Sequence, residues 1–103
     1  MSEEILLSPT EMMEHSAEAE FFLKQFANKT RLMILCSLLK QEKSVSELLQ
    51  VVTVSQPVIS QHLALLRESN MVATRREGQT IYYRLSDERV KRLIGLMYEF
   101  FCE

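Results

Sequence analysis

The segment Ser55-Gln56-Pro57-Val58-Ile59-Ser60-Gln61-His62-Leu63-Ala64-Leu65-Leu66-Arg67-Glu68-Ser69 decides how this chain is read. At 100° per residue it divides into two faces. Val58, Ile59, His62, Leu63, Leu65 and Leu66 share one broad apolar face, and Gln56, Ser60, Gln61, Ala64 and Arg67 share the other. Ser55 stands at the N-cap. Pro57 falls in the first turn, where its missing N–H would have had no partner in any case. Ser69-Asn70 ends the helix, since Asn tolerates the left-handed position that follows one. The polar face carries amides and hydroxyls and no charged residue before Arg67. Short neutral polar groups can approach base edges closely, and an amide can pair bidentately with adenine. The bland alternative is the solvated side of an ordinary amphipathic helix.

The flanking segments favour the DNA reading. Upstream, Ser44 with Glu47 forms a capping box that opens a short helix through Val52, and Thr53-Val54 is a tight break before the next helix. Downstream, Met71 to Arg76 and Thr80 to Leu85 are rich in β-branched and aromatic residues on either side of Glu77-Gly78-Gln79, the pattern of a β-hairpin. Arg75 and Arg76 before the turn, with Gln79 and Thr80 beyond it, suit a wing that lies along the phosphate backbone or enters the minor groove. Together with Ser55, which can hold a phosphate at the helix start, the candidate DNA contacts are Ser55, Gln56, Ser60, Gln61, Arg67, Arg75, Arg76 and Gln79.

The rest of the chain is helical. Ser8, Pro9 and Glu11 open a helix that runs to about Phe26, and Asn28 caps one covering Arg31 to about Lys40. Leu32 to Cys36 is apolar nearly all round, which predicts a central, buried element. Ser86 or Asp87 caps a last helix whose Val90, Leu93, Ile94, Met97, Phe100 and Phe101 follow the i, i+3, i+4, i+7 pattern. The expected fold is mainly α with a β-hairpin wing, a winged helix-turn-helix of five helices. It comprises an N-terminal tail over residues 1–8 and a single domain over 9–103, with the recognition helix at about 55–69 and the wing at about 71–85. The wide apolar faces of the terminal helices predict a homodimer packed through them across a two-fold axis, which would present paired reading heads to paired half-sites.

A net charge of −2 on 103 residues argues at first against a nucleic-acid partner. The distribution reverses that: between Ser55 and Arg92 seven Arg or Lys face four acids, a local charge of +3. Screening makes such nearby charges matter most. No basic, apolar leader opens the chain and no apolar run approaches the ~20 residues of a membrane span, so a cytoplasmic location without membrane contact is expected. Two cysteines in a reducing compartment favour a transient bridge over a permanent one. No cofactor motif or grouped nucleophile, base and orienting acid is present, which argues against an enzyme. His62, in the middle of the apolar face, reads as a hydrogen-bonded packing residue, and His15 as a surface one. Of Tyr82 and Tyr83, which alternate across the strand, one packs inward and the other is free to reach a phosphate.

The stretches Ser44-Val45-Ser46-Glu47-Leu48-Leu49, Ser55 to Leu63, Leu66-Arg67-Glu68, Arg75-Arg76-Glu77-Gly78-Gln79 and Tyr82-Tyr83-Arg84-Leu85 resemble the ArsR family of bacterial repressors, over about residues 20 to 102. The resemblance implies a homodimeric winged-helix repressor that leaves double-stranded operator DNA when it senses an inducer, with Gln56, Ser60 and Gln61 reading bases. Asn70 stands where the family usually has Gly, a change the left-handed turn accommodates.

Many members sense metals. Here the helix opened by Ser44 has no Cys, the last helix from Asp87 to Cys102 has no His, and the two cysteines and two histidines do not make a tetrahedral site by spacing. The placement of Cys36, in Arg31-Leu32-Met33-Ile34-Leu35-Cys36, and of Cys102, after Tyr98-Glu99-Phe100-Phe101, resembles instead the subgroup that senses sulfide, persulfides or oxidants. That resemblance implies a switch in which reactive sulfur species or oxidants bridge Cys36 to Cys102 and lower DNA affinity. From the residues alone, Cys36 reads as a small buried hydrophobe and Cys102 as a dispensable end residue, ahead of a switch. Two further readings stay open: a metal-responsive repressor of the same fold, and a winged-helix protein-interaction module.

Overall fold

The structure, a computed structural model, describes residues 8–102. The tail expected over residues 1–8 therefore lies, Ser8 apart, outside the described residues. In chain order the elements are α1 (Pro9–Glu14), α2 (Ser16–Lys24), α3 (Lys29–Ser37), β1 (Lys43–Ser44), α4 (Val45–Leu49), α5 (Gln56–Glu68), β2 (Val72–Glu77), β3 (Thr80–Leu85) and α6 (Glu88–Cys102).

Among the described residues there are six helices, not the expected five, because the segment Pro9 to Phe26 divides at His15 (φ −107°, ψ 7°). Local side-chain bonds compete with the helix there: the Ser16 hydroxyl donates to the Met13 carbonyl at 2.9 Å, and His15 Nδ1 lies 3.0 Å from Glu18. Neither α1 nor α2 contains a buried residue, so tertiary packing does not hold the pair straight. Ser8 does cap α1, accepting from the Glu11 N–H at 3.3 Å.

Three further starts, those of α3, α4 and α6, follow their side-chain caps. The Asn28 side chain accepts from the Arg31 N–H at 3.1 Å. Ser44 and Glu47 complete a reciprocal capping box at 3.2 and 2.8 Å. Asp87, rather than Ser86, caps α6 by accepting from the Arg89 N–H at 2.8 Å, while the Ser86 hydroxyl donates to the Asn70 carbonyl. Several helix ends come earlier than the periodicity predicts. α4 stops at Leu49 because all four residues of the run Val51-Val52-Thr53-Val54 are β-branched, which crowds a helical turn. α3 stops at Ser37, and it is less buried than its composition predicts. Ile34 and Leu35 are fully enclosed, but Met33 is exposed and Cys36 half-buried.

Asn70 adopts φ 62° after α5, the left-handed conformation its type tolerates. Gly78 (φ 63°) takes the first central position of the two-residue hairpin turn, where a positive φ suits the twist of the flanking strands. β2 and β3 pair antiparallel from Val72↔Leu85 to Glu77↔Thr80. Sequence reading missed β1, whose two residues pair antiparallel with β3 (Lys43↔Tyr83, Ser44↔Tyr82) and give the sheet order β1-β3-β2. One core joins Ile34, Leu35 and Leu38 of the α3 region, Leu48 and Val52, Ile59, Leu63 and Leu66 of α5, Met71, Val72 and Leu85 of the hairpin, and Val90 and Ile94 of α6. The architecture is a winged helix-turn-helix: α4 and α5 form the helical pair and β2–β3 the wing.

Candidate nucleic-acid interface

α5 is anchored by Ile59, Leu63 and Leu66, each with no exposed surface. The opposite face, Gln56, Ser60, Gln61, Ala64 and Arg67, is exposed along the whole helix. Leu65 departs from its expected place on the inner face; it is 41% exposed and borders a cleft with Phe21, Gln25, Arg31, Glu68 and Ser69. Ser55 occupies the N-cap position, but its hydroxyl makes no capping bond, so its side chain remains available to an external acceptor.

The wing sorts its cations by strand alternation. Residues opposite one another across the hairpin share a face, so Arg76 and Ile81 lie on the face of Tyr83, Thr74, Val72 and Leu85, while Arg75, Tyr82, Ala73 and Arg84 lie on the other. Tyr83 is the inward tyrosine. It packs on the core and lines a shallow depression with Leu63, Ala64, Arg67 and Glu68, which puts Arg76 on the α5 side of the wing. Arg75 is occupied. Its guanidinium stacks 4.7 Å from the Tyr82 ring centroid, donates from Nε to Glu42 at 2.7 Å and from a second nitrogen to the same carboxylate, and donates to Glu77 at 3.2 Å. These bonds hold Arg75 firmly protonated, and the Arg75 hydrogen bond keeps the Glu42 carboxyl below the ordinary range. Arg76, Gln79 at the turn and Arg67 are exposed. The eight expected contacts thus fall into an uncharged α5 face bordered by Arg67, a wing edge carrying Arg76 and Gln79, and Arg75 turned to the far face. Glu42 lies outside the motifs, and its pairing with Arg75 required the β1 register to be known.

His62 is half-buried, as its position on the apolar face predicts, and its Nδ1 accepts from Arg31 Nε at 3.1 Å. Burial, then the Arg31 charge, holds its imidazole below the ordinary histidine value. His15 is exposed. Cys36 and Cys102 are both free thiols, the first half-buried on α3 and the second exposed at the end of α6. Burial pushes the Cys36 thiol up, and Cys102 pushes it further in the same direction. Among the described residues no three His, Cys, Asp or Glu side chains are grouped to hold a metal ion, and no helix is long and apolar enough to cross a membrane.

The family model for bacterial regulatory proteins of the ArsR type matches residues 28–74, from the cap of α3 into β2. The transcriptional activator HlyU of Vibrio cholerae is 47% identical over 93 residues, covering 90% of this chain and 86% of its own length. The chain belongs to the ArsR family. Other ArsR relatives include the biofilm growth-associated repressor of Agrobacterium fabrum, 42% identical over 88% of this chain and 78% of its own. Among solved ArsR structures, the repressor BigR from Xylella fastidiosa superposes with a TM-score of 0.86 at 37% identity, covering 94% of this chain and 99% of that one. ArsR-family regulators bind operator DNA and are typically dimeric. The relatives matched are named as transcription regulators.

Proposed function

We propose that this chain is a homodimeric transcriptional repressor that inserts α5 into the major groove of its operator and is released when Cys36 and Cys102 become bridged. The observation that carries the DNA reading is the α5 face itself. Amide and hydroxyl side chains stand exposed along a helix whose other side is locked into the core, and no acid interrupts them before Glu68. A rigidly held helix presents base-reading groups at fixed angles, and the wing adds Arg76 and Gln79 toward the backbone.

The response to reactive sulfur species or oxidants is supported by the two thiols. They sit on α3 and α6, elements in contact, and Cys102 adds to burial in raising the Cys36 thiol. One of the solved relatives is named as reduced HlyU from Vibrio cholerae. Bridging removes two electrons and two protons from the thiol pair, which the oxidant or polysulfide takes up. The raised Cys36 keeps that thiol protonated near neutrality and so slows casual oxidation. A bridge ties the end of α6 to α3 and shifts the spacing of the two reading heads. A coupling of about 1–3 kcal/mol would weaken operator binding roughly 5–150-fold.

The test has two stages. The full-length protein is used to enrich duplexes from a random-sequence library, and affinity for the enriched duplex is then measured before and after a persulfide donor. Failure to enrich any sequence sinks the DNA reading. Unchanged affinity after the donor, or a Cys36→Ser protein that still responds, sinks the switch alone.

A further inference from the structure

We infer that Arg31 is a positioning residue for operator reading: its guanidinium, held by Gln25 just past the end of α2, donates to His62 in the middle of α5 and sets the angle at which that helix enters the groove. This rests on the DNA-binding reading of α5 and specifies what aims it.

The link is a continuous chain of hydrogen bonds across three helices. The Gln25 amide donates to the Phe21 carbonyl at 3.1 Å, Arg31 Nη1 donates to Gln25 Oε1 at 3.2 Å, and Arg31 Nε donates to His62 Nδ1 at 3.1 Å. Gln25 is only 8% exposed, so its amide has little water to fall back on. An unpaired amide there is unfavourable, which keeps the guanidinium in one place. Arginine stays protonated and can only donate, so Nδ1 must be the bare nitrogen and His62 is the neutral tautomer with its proton on Nε2. The chain of bonds therefore fixes the ring as well as the helix.

His62 follows Gln61 and lies two residues from Ser60, both on the exposed face. The apolar anchors Ile59, Leu63 and Leu66 resist withdrawal of α5 from the core but tolerate rotation about its axis; a directional bond from one side resists that rotation. Rotation by 10–20° is enough to lose bidentate base contacts, whereas phosphate contacts by long flexible cations survive it. Removing the link should therefore reduce discrimination between sequences more than it reduces attraction to DNA.

The probes are the duplex that the wild-type protein enriches from a random library and a scrambled duplex of the same composition. Arg31→Met, which keeps the apolar stem, and His62→Phe, which keeps ring packing, are expected to lower the ratio of the two affinities tenfold or more. Affinity for the scrambled duplex should stay within about twofold. His62→Asn, which retains an acceptor near Nδ1, should restore most of the ratio, and the double variant should lose no more than the worse single one. Equal loss on both duplexes, an unchanged ratio or fully additive losses overturn the inference. Nitrogen NMR of the unmodified protein supplies a readout independent of variant folding: Nδ1 should be bare and Nε2 protonated, and a protonated Nδ1 in the folded state overturns it. A wild-type protein that enriches nothing defeats the DNA reading itself, an outcome distinct from a protein that enriches a sequence and is indifferent to Arg31.

Discussion

Two adjacent arginines on the wing carry the same formal charge and should behave differently. Arg75 is already met by Glu42 and Glu77, whereas Arg76 stands on the α5 side with its charge uncommitted among the described residues. Each phosphate neutralised contributes about 0.9 to the slope of log affinity against log salt. Arg76→Ala should flatten that slope by close to this amount in a fluorescence-anisotropy titration, and Arg75→Ala should change it much less. Glu42→Gln, which removes one of the two carboxylates that meet Arg75, should steepen it. The sequence revealed both arginines as candidates, but their division needed the strand register and a partner 33 residues away. His62 titration gives a second residue-level expectation. Because burial and Arg31 lower its folded value, the unfolded chain takes up a proton at this position before the folded chain does. Its contribution to stability is therefore complete above about pH 6.5 and declines as pH falls toward the folded value. Between pH 7.5 and 5.5 the wild-type melting temperature should drop by more than that of His62→Asn; equal drops would contradict the assignment.

The elements show which local signals carry weight. Ser8 and Ser44 make the same kind of cap, yet α1 buries nothing while Ser44 is 8% exposed beneath the helix-turn-helix. Ser44→Ala should lower the free energy of urea unfolding by about 1 kcal/mol, and Ser8→Ala should leave it nearly unchanged because α1 frays without unfolding the core. α4, α5, the hairpin and α6 were legible from caps, the helical period and the Gly turn, since those signals agree with the tertiary packing. The departures arose where they do not. The break at His15 follows from short-range side-chain bonds in a stretch without buried residues, and β1 is two residues long, too short for any periodicity to register. The α5 reading face was legible from its angle alone; the outward placement of Leu65 was not, because the inner face narrows near the helix end and nothing in the sequence reports that.

At the scale of the molecule, the radius of gyration is 15.7 Å against about 13 Å for a compact chain of this length. The excess comes with uncovered apolar surface on the terminal helices: Met13 and Phe101 are each 76% exposed, Phe100 is 64% and Phe21 58%. A second copy of the chain is the economical cover for such surface. Phe101→Glu should shift the protein toward monomer in sedimentation equilibrium and weaken binding to the enriched duplex, while leaving the circular-dichroism spectrum essentially intact; a dimer that survives the change places the interface elsewhere. The short strand β1 has a different consequence. Its pairing of Lys43 and Ser44 with Tyr83 and Tyr82 stitches the start of α4 to the wing by main-chain bonds. The reading head and the wing therefore open together or not at all, and in hydrogen–deuterium exchange their amides should trade protons with solvent at one common slow rate while those of α1 are labelled first.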